Sequence, residues 1–267
     1  MSKTRLGRYM LVEDKMTLRP IGLSEAVPFL SKWHYSPIMP KLTKIRLGYF
    51  DGNELVGVMT FGWGTRPLHT IRKLFSDLSS KDYYEIGKMA MHDKMPRNSE
   101  SKMISVAIQW LKKNTDIKYL FTWADGMVGK VGYVYQAANF LYGGYSETDT
   151  YVTNQNERVH PRTISGVIEN KTGAKIGARP TPEQCVELDL TRVKGYQFKY
   201  IYPLNKKYRK FLKTSTVEWT TNYPKEKDLA WKIKRPTDVE WKKIYDLPFK
   251  ISKDASFQNS SIYGNLF

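Results

Sequence analysis

Between Tyr83 and Trp123 the spacing of apolar residues changes period twice, and no other stretch constrains the fold as much. Tyr83 to His92 reads as a strand with Ile86, Met89 and Met91 turned inward, and Gly87 within it implies a bulge. Met103, Ile104, Ala107, Ile108 and Leu111 then repeat at helical spacing, and Tyr119 to Trp123 is a second, buried strand. A strand, a helix and a strand in this order cross over right-handed and leave the two strands parallel. The expected class is therefore α/β (α+β), a mixed twisted sheet with flanking helices. Asp125 falls at the carboxyl end of the second strand, where open α/β sheets hold ligands. A short helix follows, with Val134, Ala137, Ala138 and Leu141 on one face, Tyr135 on its flank and Gly143-Gly144 closing it.

The flanking segments supply partners for this unit. Met16 to Ile21 reads as a strand, and Leu23 to Trp33 as a helix with Ser24 as its N-cap. That helix runs out at Trp33-His34-Tyr35-Ser36-Pro37, because the residue before a proline is pushed out of helical geometry. Ile45 to Gly64 is a hairpin turning at Asp51-Gly52-Asn53. Pro67 to Ser80, with His69, Arg72 and Lys73, suggests a loop or short helix with a basic face, and Thr148 to Val152 with Val159 to Ile164 suggests a last strand pair. Residues 1–165 are expected to form the catalytic domain. Residues 166–267 are expected to form a basic, aromatic-rich extension, partly disordered, beginning with a helix-poor stretch to Cys185.

Charge points to the partner. Lys and Arg number 43 against 26 Asp and Glu, a net charge of +17, which asks for a polyanion. Between Lys199 and Lys213, cations Lys199, Lys206, Lys207, Arg209, Lys210 and Lys213 interleave with Tyr200, Tyr202, Tyr208 and Phe211. Cations for phosphates beside rings for bases suit a nucleic acid. A single cysteine, Cys185, excludes an internal disulfide framework and suggests a reducing, intracellular setting, while the absence of a long apolar run argues against a membrane span. The turn Met95-Pro96-Arg97-Asn98-Ser99-Glu100-Ser101 leads from a strand into a helix. Asn98, Ser99 and Ser101 are candidate caps, and with Arg97 they make an anion site for a cofactor at the helix start.

The order of elements over residues 15 to 165, ending in VYQAANFLYGGYSETD, resembles the acetyltransferase-type GNAT fold. The glycine-rich turn with which that fold cradles acetyl-CoA is absent here, and the Met95 to Ser101 turn stands in its place. Trp33-His34-Tyr35, the Met95 to Ser101 turn, Ala124-Asp125-Gly126 and Val134-Tyr135-Gln136-Ala137 with Asn139-Phe140 together resemble the phage Mom family. That resemblance implies an enzyme that adds a methylcarbamoyl-type group to N6 of adenine in double-stranded DNA, protecting it from restriction in the host cytoplasm. It places His34, Tyr35, Asp125 and Tyr135 at the active site, and it implies iron, with the same four residues as candidate ligands. The donor is not identified by it. Two other readings share part of the pattern: an acetyl-CoA-dependent GNAT acting on RNA, protein or a small amine, and a DNA-binding protein without chemistry.

Overall fold

The computed structural model describes residues 10–12, 16–35, 42–64, 72–159, 164 and 180–251. In chain order the elements are β1 (Met10–Val12), β2 (Met16–Pro20), α1 (Leu23–Trp33), β3 (Thr43–Asp51), β4 (Glu54–Gly62), β5 (Tyr83–Met91), α2 (Ser99–Asn114), β6 (Tyr119–Asp125), α3 (Tyr133–Ala137), β7 (Leu141–Val152), β8 (Arg158–Val159), α4 (Pro182–Glu187), β9 (Thr191–Pro203), β10 (Trp231–Lys234) and β11 (Lys242–Ile244). All the described strands join one mixed sheet. β1 to β5 run antiparallel in sequence order, β5 and β6 are parallel, and β6 is followed by antiparallel β9. Gln197 pairs with both Asp125 and Ser146, so β6 and β7 flank opposite edges of β9. β10 and β11 continue along the edge that β6 leaves free.

Local chemistry explains most of these elements. The β3–β4 hairpin turns through Gly52 at φ 57, a left-handed conformation that glycine adopts without strain. The strand-helix-strand unit folds as its periodicity predicts, with Met103, Ile104, Ala107, Ile108 and Leu111 of α2 buried against Leu120 and Ala124 of β6. α1 spans the predicted residues, but Gly22 is its N-cap and Ser24 lies inside its first turn. Glu25 caps it instead, accepting from the Gly22 N–H at 3.3 Å and pairing with Arg19 at 2.9 Å.

Two expectations change. α3 ends at Ala137, because Asn139 at φ 60 turns the chain into β7, and Gly143-Gly144 lie within that strand. The glycines are required there by space and by backbone: a Cβ on Gly143 would sit 2.3 Å from the Trp219 ring, and Gly144 has φ +76. The sheet also does not stop at residue 165. β9 is a long inner strand, with Val193, Phe198, Tyr200 and Ile201 buried while Arg192, Lys194 and Lys199 face outward. Its lysines give it the look of a surface segment, whereas its alternate residues build the core. The Pro182–Glu187 helix buries Cys185 with Tyr151, Ile164 and Leu190. His69, His160 to Thr163 and the 165–179 stretch lie outside the described residues. Among the described residues no helix is long and apolar enough to cross a membrane.

Candidate active site where two parallel strands part

β5 and β6 pair over only three positions, Tyr83 to Glu85 against Tyr119 to Phe121. Beyond them the strands separate: β6 continues against β9, and β5 continues against β4 after a register shift that skips Gly87. The bulge expected at Gly87 thus lies where β5 turns away from its parallel neighbour. The end of α1 reaches this opening. His34 stacks on Tyr35 with ring centroids 4.5 Å apart, and the Trp33 ring meets His92 in a tilted contact at 4.2 Å.

Asp125 lies at the carboxyl end of β6, and its two oxygens do different work. Oδ1 accepts from the Met127 N–H at 3.2 Å and so caps the turn Gly126–Val128. Oδ2 faces the Tyr35 hydroxyl at 3.5 Å, the outer limit of a hydrogen bond, and the Arg158 guanidinium at 3.3 Å. Tyr35 and Asp125 are 90 residues apart in sequence. The Lys130 ammonium covers the other partner in this contact, 4.7 Å from the Tyr35 ring centre. Burial first, then the neighbouring Asp125 and Tyr135, push the Tyr35 phenol far above its ordinary range, so it stays protonated.

Tyr135 approaches from α3, its ring 5.6 Å from both Phe140 and Tyr200. Burial raises its hydroxyl's pKa, Thr122 partly offsets that, and Glu85 adds to it. Tyr135 is therefore more enclosed than a helix flank implies. The helix that carries it is anchored by Tyr200, whose hydroxyl donates to the Val131 carbonyl and accepts from Gln136 Nε2 at 3.1 Å. Gly132, the α3 N-cap, sits against the same tyrosine ring.

Sequence reasoning missed two ionisable side chains on β5. Lys88 is 8% exposed, its Nζ lies 3.5 Å from His34 Nδ1, and burial pushes its pKa down to about 8 while Asp125 opposes that change. Glu85, at the last paired position before the strands part, is pushed up to about 7 by burial. The signal for both was present: two charged residues on either side of Gly87 within an otherwise apolar strand. Thr122, which is buried, and Arg158 were likewise not singled out.

The structure brings together His34, Tyr35, Asp125 and Tyr135. The Arg97 to Ser101 turn follows β5 and lies at the same end of the sheet as Asp125. Its hydroxyls do not cap as expected. Asn98 has φ 71 and makes no side-chain cap, and Ser99 and Ser101 donate to the Pro96 and Asn98 carbonyls at 2.7 and 2.9 Å. Arg97 is exposed. The Lys199 to Lys213 segment divides. Tyr200 is fully buried and cannot stack on a base, and Lys199 donates to the Tyr145 carbonyl at 3.2 Å. Lys206, Lys207, Arg209, Lys210 and Lys213 are exposed on 3-10 turns, whose Tyr208 and Phe211 pack on the core beside Tyr119.

The donor set suits iron poorly. Among the described residues no three His, Cys, Asp or Glu side chains gather as a metal site would need. His34 Nδ1 faces the Lys88 ammonium and Asp125 Oδ2 the Arg158 guanidinium, so the imidazole and the carboxylate of this set already have cationic neighbours.

Residues 15–225 match the model of the Mom protein family. The chain is 33% identical over 195 residues to "Methylcarbamoylase mom" of Escherichia phage Mu, a match spanning 72% of this chain and 76% of that protein. Among solved structures, a ribosomal-protein-S5-alanine acetyltransferase from Vibrio fischeri is 12% identical with a TM-score of 0.41, covering 74% of this chain and 98% of that one. An N-acetyltransferase from Staphylococcus aureus Mu50 is 12% identical with a TM-score of 0.38, covering 71% and 97%. These likenesses are partial, and the mixed α/β class rests on the strand order itself.

Proposed function

The chain belongs to the Mom protein family, and on that premise we propose that it is a DNA-modifying transferase, placing a methylcarbamoyl-type group on the N6 amine of adenine and so shielding phage DNA from restriction inside the host cell. The observation that carries this reading is the convergence of His34, Tyr35, Asp125 and Tyr135, from separate elements, on the opening between β5 and β6.

The chemistry asks for what these residues offer. The adenine amine is a weak nucleophile because its lone pair is delocalised into the ring, so a proton must leave as the new bond forms. Asp125 Oδ2 faces outward from the turn it caps and accepts from such an amine, fixing its orientation. Lys88, whose pKa burial lowers to about 8, remains mostly an ammonium at neutral pH, and its minor neutral form is the adjacent proton acceptor. Tyr35 and Tyr135 keep their protons, and so are hydrogen-bond donors for the oxygen on which charge develops in the donor group. The bond from N6 to the donor carbon forms as the bond from that carbon to its leaving group breaks. The adenine must leave the base stack to reach this opening, with its flanking phosphates held by basic side chains.

The test is nucleoside mass spectrometry of DNA from cells making the protein. A heavier deoxyadenosine is expected with the natural chain. None is expected with Asp125→Ala, although that variant still binds duplex DNA. Unmodified DNA from cells with the natural chain, or modified DNA from cells with the variant, overturns the reading.

A further inference from the structure

We propose that the outer face of β9, β10 and β11 holds the DNA backbone next to the site, a role that deepens the proposed function and rests on it. Lys194 pairs with Lys232, and Lys232 with Lys243, so three ammonium groups stand directly opposite one another across three strands. Arg192 and Lys234 form the adjoining row. Like charges opposed across a ladder oppose folding, and β7 offsets them only in part, with Asp149 in register opposite Lys194. Among the described residues, Asp149 meets Arg192 and Glu147 meets Lys232, each at 3.7 Å. Trp241 lies under two of the cations, with Arg192 5.3 Å and Lys194 4.6 Å from its ring centre. An indole that fixes the height of two cations leaves them pre-placed for a planar or anionic partner.

Position decides which anion this face serves. Asp125 pairs with Gln197, and Lys194 is three residues further along β9, roughly 10 Å beyond the end of β6 at about 3.3 Å per residue and, the separation being odd, on the other face of the sheet from that pair. That is the face of Tyr200, against which Tyr135 packs, so the cations begin beyond the end of β6 on the side that carries α3. The exposed cations between Lys206 and Lys213 follow Pro203, which pairs with Tyr119 at the opposite end of β6, roughly 20 Å from Asp125. A duplex with one base in the site passes over the first group before it reaches the second. β10 and β11 also lie beyond residue 225, where the family match ends, so Lys232, Lys234 and Lys243 are carried by sequence outside it, while Arg192 and Lys194 lie within it.

The experiment is a salt titration of duplex DNA binding by the full chain, the triple variant Lys232→Gln/Lys243→Gln/Lys234→Gln, and the matching Lys→Arg triple. Each neutralised phosphate contributes about 0.9 to the slope of log affinity against log salt. Removing three contacts lowers the slope by about 2.7, so between 50 and 200 mM salt the natural chain loses roughly 40-fold more affinity than the Gln variant does. The Arg triple keeps the natural slope. An unchanged slope in the Gln variant overturns this inference while leaving the proposed function standing. If the natural chain fails to bind duplex DNA at all, the proposed function falls and takes this surface with it. Near-ultraviolet circular dichroism of the buried Trp231 checks that each variant is folded.

Discussion

Glu85 offers the sharpest test of the electrostatics at the opening between β5 and β6. Burial raises its carboxyl from an ordinary value of 4.5 to about 7, with no opposing cation in the balance. In that window the folded protein holds a proton that the unfolded chain has released, so stability falls as pH rises from 4.5 to 7. Glu85→Gln keeps the shape and removes the titration. From pH 5 to pH 8 the variant should gain about 2.5 kcal/mol relative to the natural chain, because each tenfold change in proton affinity between the folded and unfolded states is worth about 1.36 kcal/mol. That is an upper figure, because Glu85 keeps part of its surface in water. Urea denaturation of both proteins at the two pH values measures it. Most of the gap should open below pH 7 and little beyond. A stability difference between the two proteins that is the same at pH 5 and pH 8 would refute a buried, largely uncompensated carboxyl at this position.

Two further outcomes follow from the same geometry. Gly132→Ala puts a Cβ 2.7 Å from the Tyr200 ring and 2.9 Å from the Ala124 Cβ, at φ +91. Left-handed strain of about 1–2 kcal/mol and overpacking of about 1–3 kcal/mol predict a loss of about 2–5 kcal/mol, read as a lower urea midpoint. An unchanged midpoint contradicts the packing of α3 on Tyr200. Lys88→Met removes an ammonium whose pKa burial lowers from 10.5 to about 8. The charged form is penalised below pH 8 and the penalty fades as pH approaches 10.5, so any stability advantage of the methionine should be about 2 kcal/mol smaller at pH 9.5 than at pH 7. DNA modification should be lost while the fold is kept, and modification that persists removes Lys88 from the chemistry.

Elements whose pattern is local are legible in the sequence. The Asp51-Gly52-Asn53 hairpin, the α1 span and the β5–α2–β6 unit all follow from turn residues and hydrophobic period, which act within a few residues. The four residues of the site are legible only as separate short motifs, joined by resemblance. β9 reads as a surface segment because its outward lysines dominate its composition, and a strand's partners are not written within it. α3 reads too long because Gly143 answers to Trp219, some 75 residues downstream in the chain, and Gly144 to a left-handed backbone turn within β7.

What the sequence determined by itself is the set of local conformations and the net charge of +17, because both depend on near neighbours or on a sum. Only the tertiary structure decided that β5 and β6 part after Glu85, that Lys88 faces His34, and that Tyr35 reaches Asp125 across 90 residues. Those are consequences of strand pairing and burial. The same lysine is an ordinary cation in a peptide, and its ammonium becomes easier to deprotonate only when the sheet and the end of α1 remove its water.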